Sequence, residues 1–188
     1  WKDTVKALLE ERLDAPVQDF ATVADDRKKT NAVSCIDQAY GVILLEDWIY
    51  HIDELRSHLD DGLIASWGHR TYENEREVRE VVVTQGQSQF DMIHFMGTTG
   101  NDTDLSTNDI VSKLTDLHNR YTLNIFLVTY DEVAFELKTI PDDLYALAQE
   151  MFEFCPDCVH QGAGSLEKLV ESYQKSIKHF QTLAIYHP

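Results

Sequence analysis

Hydrophobic residues recur in this chain at two spacings, and the switches between them mark out its elements. Near the start, Val5, Leu8, Leu9 and Leu13 share one face of a 3.6-residue repeat, with Asp3 placed to cap it and Pro16 to stop it. A helix is predicted there. Residues 17–33 are polar and charged and read as a linker or loop. Val42 to Leu45 is a short apolar run that fits a strand or the start of a helix. Trp48, Ile52, Leu55 and Leu59 then return to helical spacing, and Gly62 ends them.

From Val78 the period shortens. "VREVVVTQ" and "FDMIHFMG" read as two strands joined through "GQSQ". In the second, Phe90, Met92 and Met96 fall on one face and Ile93 and Phe95 on the other, so the strand is expected to be covered on both sides. "GTTGNDTDLSTND" is a loop by composition. It delivers the chain to a helix capped by Ser106 or Thr107, with Asp109 in the first turn and Ile110, Val111, Leu114, Leu117 and Tyr121 inward. "LNIFLVTY" and "EVAFELKTI" are two β runs meeting near Tyr130–Glu132. Val133, Phe135 and Leu137 alternate with Ala134, Glu136 and Lys138, which predicts one wet face.

Pro141 and Asp142 open another helix, striped by Leu144, Leu147, Ala148, Met151 and Phe152 and closed by Pro156. A further helix starts at Ser165, and "TLAIYHP" fits a last strand. Hairpins alternating with helices predict an α+β fold: an antiparallel or mixed sheet of about five strands, helices mainly on one face, and an N-terminal helical segment. Residues 1–75 are read as an N-terminal helical extension or subdomain and 76–188 as the α+β domain, together one compact unit.

Composition narrows the classes. The chain has 188 residues, 43% of them hydrophobic and 10% aromatic, which is a globular and not a disordered balance. No apolar run reaches the roughly 18 residues of a membrane helix. The formal net charge is −17 and is divided almost evenly between the two halves. Such a field repels nucleic-acid backbones and favours encounter with a basic protein. A basic protein partner is therefore expected, and neither nucleic acid nor membrane. Three cysteines are an odd number, unlike a disulfide framework, and no signal-peptide pattern opens the chain. Reduced thiols in a cytoplasm follow as the expectation.

The densest chemistry lies in "FCPDCVHQGAG", residues 154–164. A thiolate zinc site wants four ligands, commonly two separated pairs, and Cys155, Cys158 and His160 form one group only. A redox pair sits at a helix start, where the dipole lowers the thiol pKa, and this one sits at a helix end. No metal or other cofactor is expected. His51 and His58 are seven apart, too wide for a helical metal pair. In the loop after Gly97, an anion site would lack the P-loop lysine. Asn101, Asp102 and Asp104 offer oxygen ligands but no EF-hand pattern, and a solvated connector is expected. "SWGHRTYENERE" mixes polar and aromatic residues as an interface does. No nucleophile has a base-supported context, so no catalytic residue is assigned and a non-catalytic role is expected.

"EFCPDCVHQGAGSLEKLVE" resembles the C-terminal signature of the domain of unknown function 4253 family. The matching positions are Phe154, Cys155, Pro156, Asp157, Gln161, Gly162, Gly164 and Ser165. "GTTGNDTDLSTNDIVSKLTDLHNRY" is similar to the family's Gly-Thr-x-Gly loop and following helix, and the resemblance spans about residues 80–188. The chain departs from it at Cys158, where an apolar residue is usual, and at the ending "LAIYHP", where a Trp-rich strand is usual. The resemblance implies a bacterial, cytoplasmic, small α+β domain, similar in size and acidity to immunity proteins of contact-dependent toxin systems.

The residues of the signature read as a rigid corner. Cys155–Pro156–Asp157 ends one helix, Asp157 accepts from loop amides, Gly162 and Gly164 take φ > 0, and Ser165 caps the next helix. Such a corner presents Asp157, His160 and Gln161. The expected function is a protein-interaction module. The alternative is a small enzyme or a ligand or metal binder, its site joining the Gly97–Asp104 loop, with Thr98, Asn101 and Asp102, to the Asp157–Gln161 corner.

Overall fold

The computed structural model describes residues 2–13, 18–19, 39–44, 48–73, 76–100, 104–180 and 183–187. The chain divides into two compact units, residues 1–92 and 93–188. The predicted loop between the first two elements lies almost wholly outside the described residues.

In the first unit, α1 (Lys2–Leu13) buries Val5 and Leu9 and packs against β2 (Ala39–Leu44), so the ambiguous apolar run is a strand. A two-residue β1 (Gln18–Asp19) pairs antiparallel with β2. The second helix, α2 (Trp48–Arg56), buries Ile52 and Leu55 and packs on β3 (Leu63–Glu73). Arg56 helps fix it there, donating from Nε and Nη2 to the Ala65 carbonyl at 2.9 and 2.6 Å. β4 (Arg76–Gln85) pairs antiparallel with both β2 and β3. Residues 1–75 therefore carry strands as well as helices.

The register of β3 on β4 shifts between Trp67 and Arg70. A buried carboxyl lies at the shift. Glu80 is fully buried on β4 and accepts from the His69 amide at 3.2 Å. A Cβ on Gly68 would meet the Glu80 carboxylate at 3.0 Å, so the strand passes it on a glycine. "GQSQ" is not the hairpin connection. The strand that pairs beside β4 on its chain-order side is β3, and "FDMIHFMG" is helical: α3 (Asp91–Met96). Asp91 decides this locally. Its Oδ2 accepts from the amides of Gln87 and Ser88 at 2.7 and 2.9 Å and turns the chain into a helix. Met92, Ile93 and Met96 are buried at helical spacing.

In the second unit, α4 (Thr107–Tyr121) begins with a complete capping box. The Ser106 hydroxyl accepts from the Asp109 amide and the Asp109 carboxylate accepts from the Ser106 amide at 2.9 Å. Of β5 (Leu123–Val128), β6 (Val133–Leu137) and β7 (Leu183–His187), β6 pairs antiparallel with both of the others. All five residues of β6 are buried, Ala134 and Glu136 included, which corrects the expected wet face. Glu136 is satisfied there by Asn124 and Lys138. α5 (Leu144–Phe154) starts later than the expected opening at Pro141 and Asp142, with Asp143 as its cap, accepting from the Ala146 amide at 2.9 Å. Ser165 caps α6 (Leu166–Phe180), accepting from Lys168 N at 3.2 Å. α5 packs on α6, and α6 on β7.

The class is thus α+β, as expected. The strand count differs from about five: four lie in the first unit and three in the second, among the described residues.

Candidate functional site

The second unit carries an open cleft whose wall begins where α3 ends. Gly97, at φ 61°, turns the chain out of that helix, and the next three residues are fastened by their backbones. The amides of Thr98, Thr99 and Gly100 donate to the carbonyls of Ile93, Tyr130 and Leu105 at 3.2, 2.9 and 3.0 Å. Thr98 is buried, its hydroxyl donating to the Thr129 carbonyl at 2.6 Å, and the Thr107 hydroxyl donates to the Thr98 carbonyl at 2.8 Å. One stretch of loop is thereby tied to the β5–β6 turn and to the start of α4. The turn is itself braced, since the Thr129 hydroxyl donates to Asp131 Oδ1 at 2.9 Å and accepts from the Glu132 amide at 2.9 Å.

The opposite wall is the end of α5. Met151, Phe154 and Cys155 line the same cleft as Thr98–Gly100. Leu105 from the loop before α4, Ile110 and Leu114 from α4, and Val133 and Phe135 from β6 complete its apolar lining, and Asp131 lines it as well. α5 is held in place by charge. Glu150 Oε1 accepts from Lys113 Nζ and Arg120 Nη2 on α4, each at 2.5 Å. Burial alone would raise the Glu150 carboxyl, but the hydrogen bonds from Arg120 and Lys113 outweigh it and hold the group below its ordinary range. Lys113 also lies 5.6 Å over the Phe154 ring.

Beyond Cys155 the chain makes one wide π-helical turn, Cys158–Ala163, closed by Gly164 N donating to the Val159 carbonyl at 2.7 Å. Gly164 sits at φ 85°, the conformation expected of it, whereas Gly162 does not have positive φ. Asp157 makes no side-chain capping bond to the turn, so its expected role there is not the observed one. Cys155 and Cys158 are both buried and reduced. Burial is the main cause that pushes the Cys155 thiol up, against the backbone N–H of Asp157 aimed at its sulfur. Burial, and then the neighbouring Cys155 and Asp157, push Cys158 up to about 11. Both thiols are therefore held as weak nucleophiles. Tyr173 on α6 is buried beside this turn, its hydroxyl raised by burial and then by Cys158.

Of the residues singled out from sequence, Thr98 and Cys155 line the cleft. His160 is exposed and meets the Phe152 ring edge-on at 5.6 Å; Gln161 is exposed as well. Pro156 and Asp157 are half-buried in the corner, and Ser165 is a cap. Asn101 and Asp102 lie outside the described residues. The cleft reaches the start of the corner, at Phe154 and Cys155, and not Asp157, His160 or Gln161. Among the described residues no group of three or more His, Cys, Asp or Glu side chains is placed to hold a metal ion. None of their helices is long and apolar enough to cross a membrane. Asp131 and Met151 were not among the expected site residues. The first stood in the sequence only as a turn residue and the second only as one stripe position of a helix.

A family described as Domain of unknown function (DUF4253) matches residues 80–180, more than half of the chain. No curated protein and no solved structure matches.

Proposed function

The chain belongs to the DUF4253 family, and from that premise we propose that it is a protein-binding module whose cleft receives one side chain of a basic partner. One observation carries this reading. The two stretches on which the family resemblance rests, Thr98–Gly100 and Phe154–Cys155, are far apart in sequence and line the same cleft. A fastened loop and a charge-locked helix make that cleft pre-formed, which lowers the ordering cost of binding. Its floor is apolar, suited to a side chain, and its thiol is held protonated. The net charge of −17 favours a basic partner. An acidic immunity protein paired with a basic toxin is one instance of this chemistry. The enzyme reading draws on the same cleft, but the Cys155 thiol there is a poor nucleophile.

The test uses the natural chain and Thr99→Trp, which fills the mouth from an exposed position. Both are used to capture partners from the source cell at low and high salt. A basic protein held by the natural chain, weakened by salt and lost with Thr99→Trp is the expected result. Equal capture by Thr99→Trp would move the interface elsewhere. Capture of acidic proteins only would end the reading.

A further inference from the structure

We infer that Cys155 and Cys158 form a two-thiolate site for one soft monovalent cation of the copper(I) class, with the Tyr173 hydroxyl as its outer partner. Three features of the corner lead to it.

First, the pair is placed for chelation. Cys155, Pro156, Asp157 and Cys158 make one tight turn, in which the Cys158 amide donates to the Cys155 carbonyl at 3.3 Å. A turn of that size holds its first and last Cα atoms within about 7 Å. Backbone N–H groups are aimed at both sulfurs, those of Asp157 and Cys158 at Cys155 and that of Val159 at Cys158. Amides of this kind support a metal-bound thiolate and fix its direction.

Second, burial and ligand number choose the ion. Cys155 and Cys158 are 4% and 3% exposed. Among the described residues no further His, Cys, Asp or Glu joins them in a group of three that could hold a metal. Zinc asks for four ligands, and two thiolates leave half of that shell unfilled. Thiolates select soft ions, and a monovalent one is satisfied by two of them. Two bare thiolates beside the Asp157 carboxylate would be unpaired buried charges, which a cation pairs. Both thiol protons leave to solvent as the ion binds, and no oxidation state changes. Cys155 also lines the open cleft, which gives the ion a way in.

Third, Tyr173 is 2% exposed, and its hydroxyl has no hydrogen-bond partner among the described residues. α6 packs on the π-helical turn and brings that hydroxyl beside Cys158 without a bond between them. A buried hydroxyl left unpaired is costly, and a thiolate made by metal binding is the strong acceptor it lacks.

The full chain is titrated without oxygen, with copper(I) supplied from a chromophoric chelator and, separately, with silver(I) in nitrate buffer. One equivalent of either should bind and raise a thiolate-to-metal charge-transfer band, and an equal concentration of zinc(II) should not displace it. Cys155→Ser and Cys158→Ala should each lose the band, whereas Cys35→Ser, which removes the third cysteine, should keep it. Tyr173→Phe, which deletes only the hydroxyl, should weaken binding about tenfold, the scale of an outer-sphere partner. If the chelator keeps all the copper, or the band survives both Cys155→Ser and Cys158→Ala, the site is overturned. Loss of the band in Cys35→Ser would overturn the two-thiolate geometry, and equal affinity in Tyr173→Phe would remove the hydroxyl from the site. Urea midpoints show whether each variant folds. Should a cysteine variant unfold, the natural chain decides instead: one equivalent of silver(I) should move the Cβ resonances of both Cys155 and Cys158, and no movement at either would overturn the pair.

Discussion

Thr122 ends α4 in the left-handed region, at φ 53°, where a β-branched residue is strained. Its amide still closes the helix on the His118 carbonyl at 2.8 Å, and its side chain is exposed. Thr122→Gly removes the strain and no buried contact. It should stabilise the protein by about 0.5–1 kcal/mol, the balance between relieved strain and added unfolded-state entropy, read from urea midpoints. Cys158 makes an alkaline prediction. Burial raises it to about 11, so the folded chain holds this proton where the unfolded chain, at about 8.5, releases it. The stabilisation is complete below the unfolded value and is lost as pH rises through about 9 to 11. Cys155 and Tyr173, both raised chiefly by burial, act in the same direction. Denaturation midpoints should fall across that window, and less steeply in Cys158→Ala.

At the scale of elements, α4 and α5 depend on terminal and lateral polar contacts. Ser106→Ala removes the hydroxyl half of the capping box, leaving the Ser106 amide donating to Asp109, and should cost about 1 kcal/mol. Glu150→Gln leaves Lys113 and Arg120 without their shared carboxylate. Because Glu150 is partly exposed, the loss should be about 1–2 kcal/mol, below that of a fully buried pair. Glu150 is held below its ordinary range, so this stability is present above the normal carboxylate pKa and lost as pH falls through the lowered one. Acid melts of Glu150→Gln should therefore lack part of the natural chain's acid-dependent loss. These helices were legible because their apolar stripes and caps are local. α3 was not, because Met92, Ile93 and Met96 satisfy both a strand's two-sided pattern and a helix's stripe, and Asp91 decides between them. β3 was hidden by Gly68, His69 and Arg70, whose strand position answers to Glu80 on the neighbouring strand. The site divides in the same way. Its two motif stretches were visible, but their meeting is a tertiary fact. Asp131 enters only because the β5–β6 turn folds over it.

For the whole molecule, the family match and the structural division do not coincide. The match begins at residue 80, within β4, and ends at 180, short of β7, whereas the compact units divide after Met92. A fragment cut to 80–180 separates β4 from β2 and β3 and removes β7 from β6. Since all of β6 is buried, loss of β7 leaves an apolar edge open to pairing. That fragment should aggregate by light scattering, while the 188-residue chain stays dispersed at its charge of −17.

The fastening of Thr98–Gly100 also sets a clock. Loop amides commonly trade their hydrogens with water freely, since a small local opening is enough. Here the Thr98 amide ends on α3, the Thr99 amide on the β5–β6 turn and the Gly100 amide on Leu105 further along the loop, and the Thr98 hydroxyl reaches into the β5–β6 turn. Opening one bond alone does not release the wall. The Thr99 amide should exchange on the timescale of the β6 amides and slow further when denaturant is withdrawn. Exchange as fast as in an exposed turn would mean that the cleft opens and closes on its own.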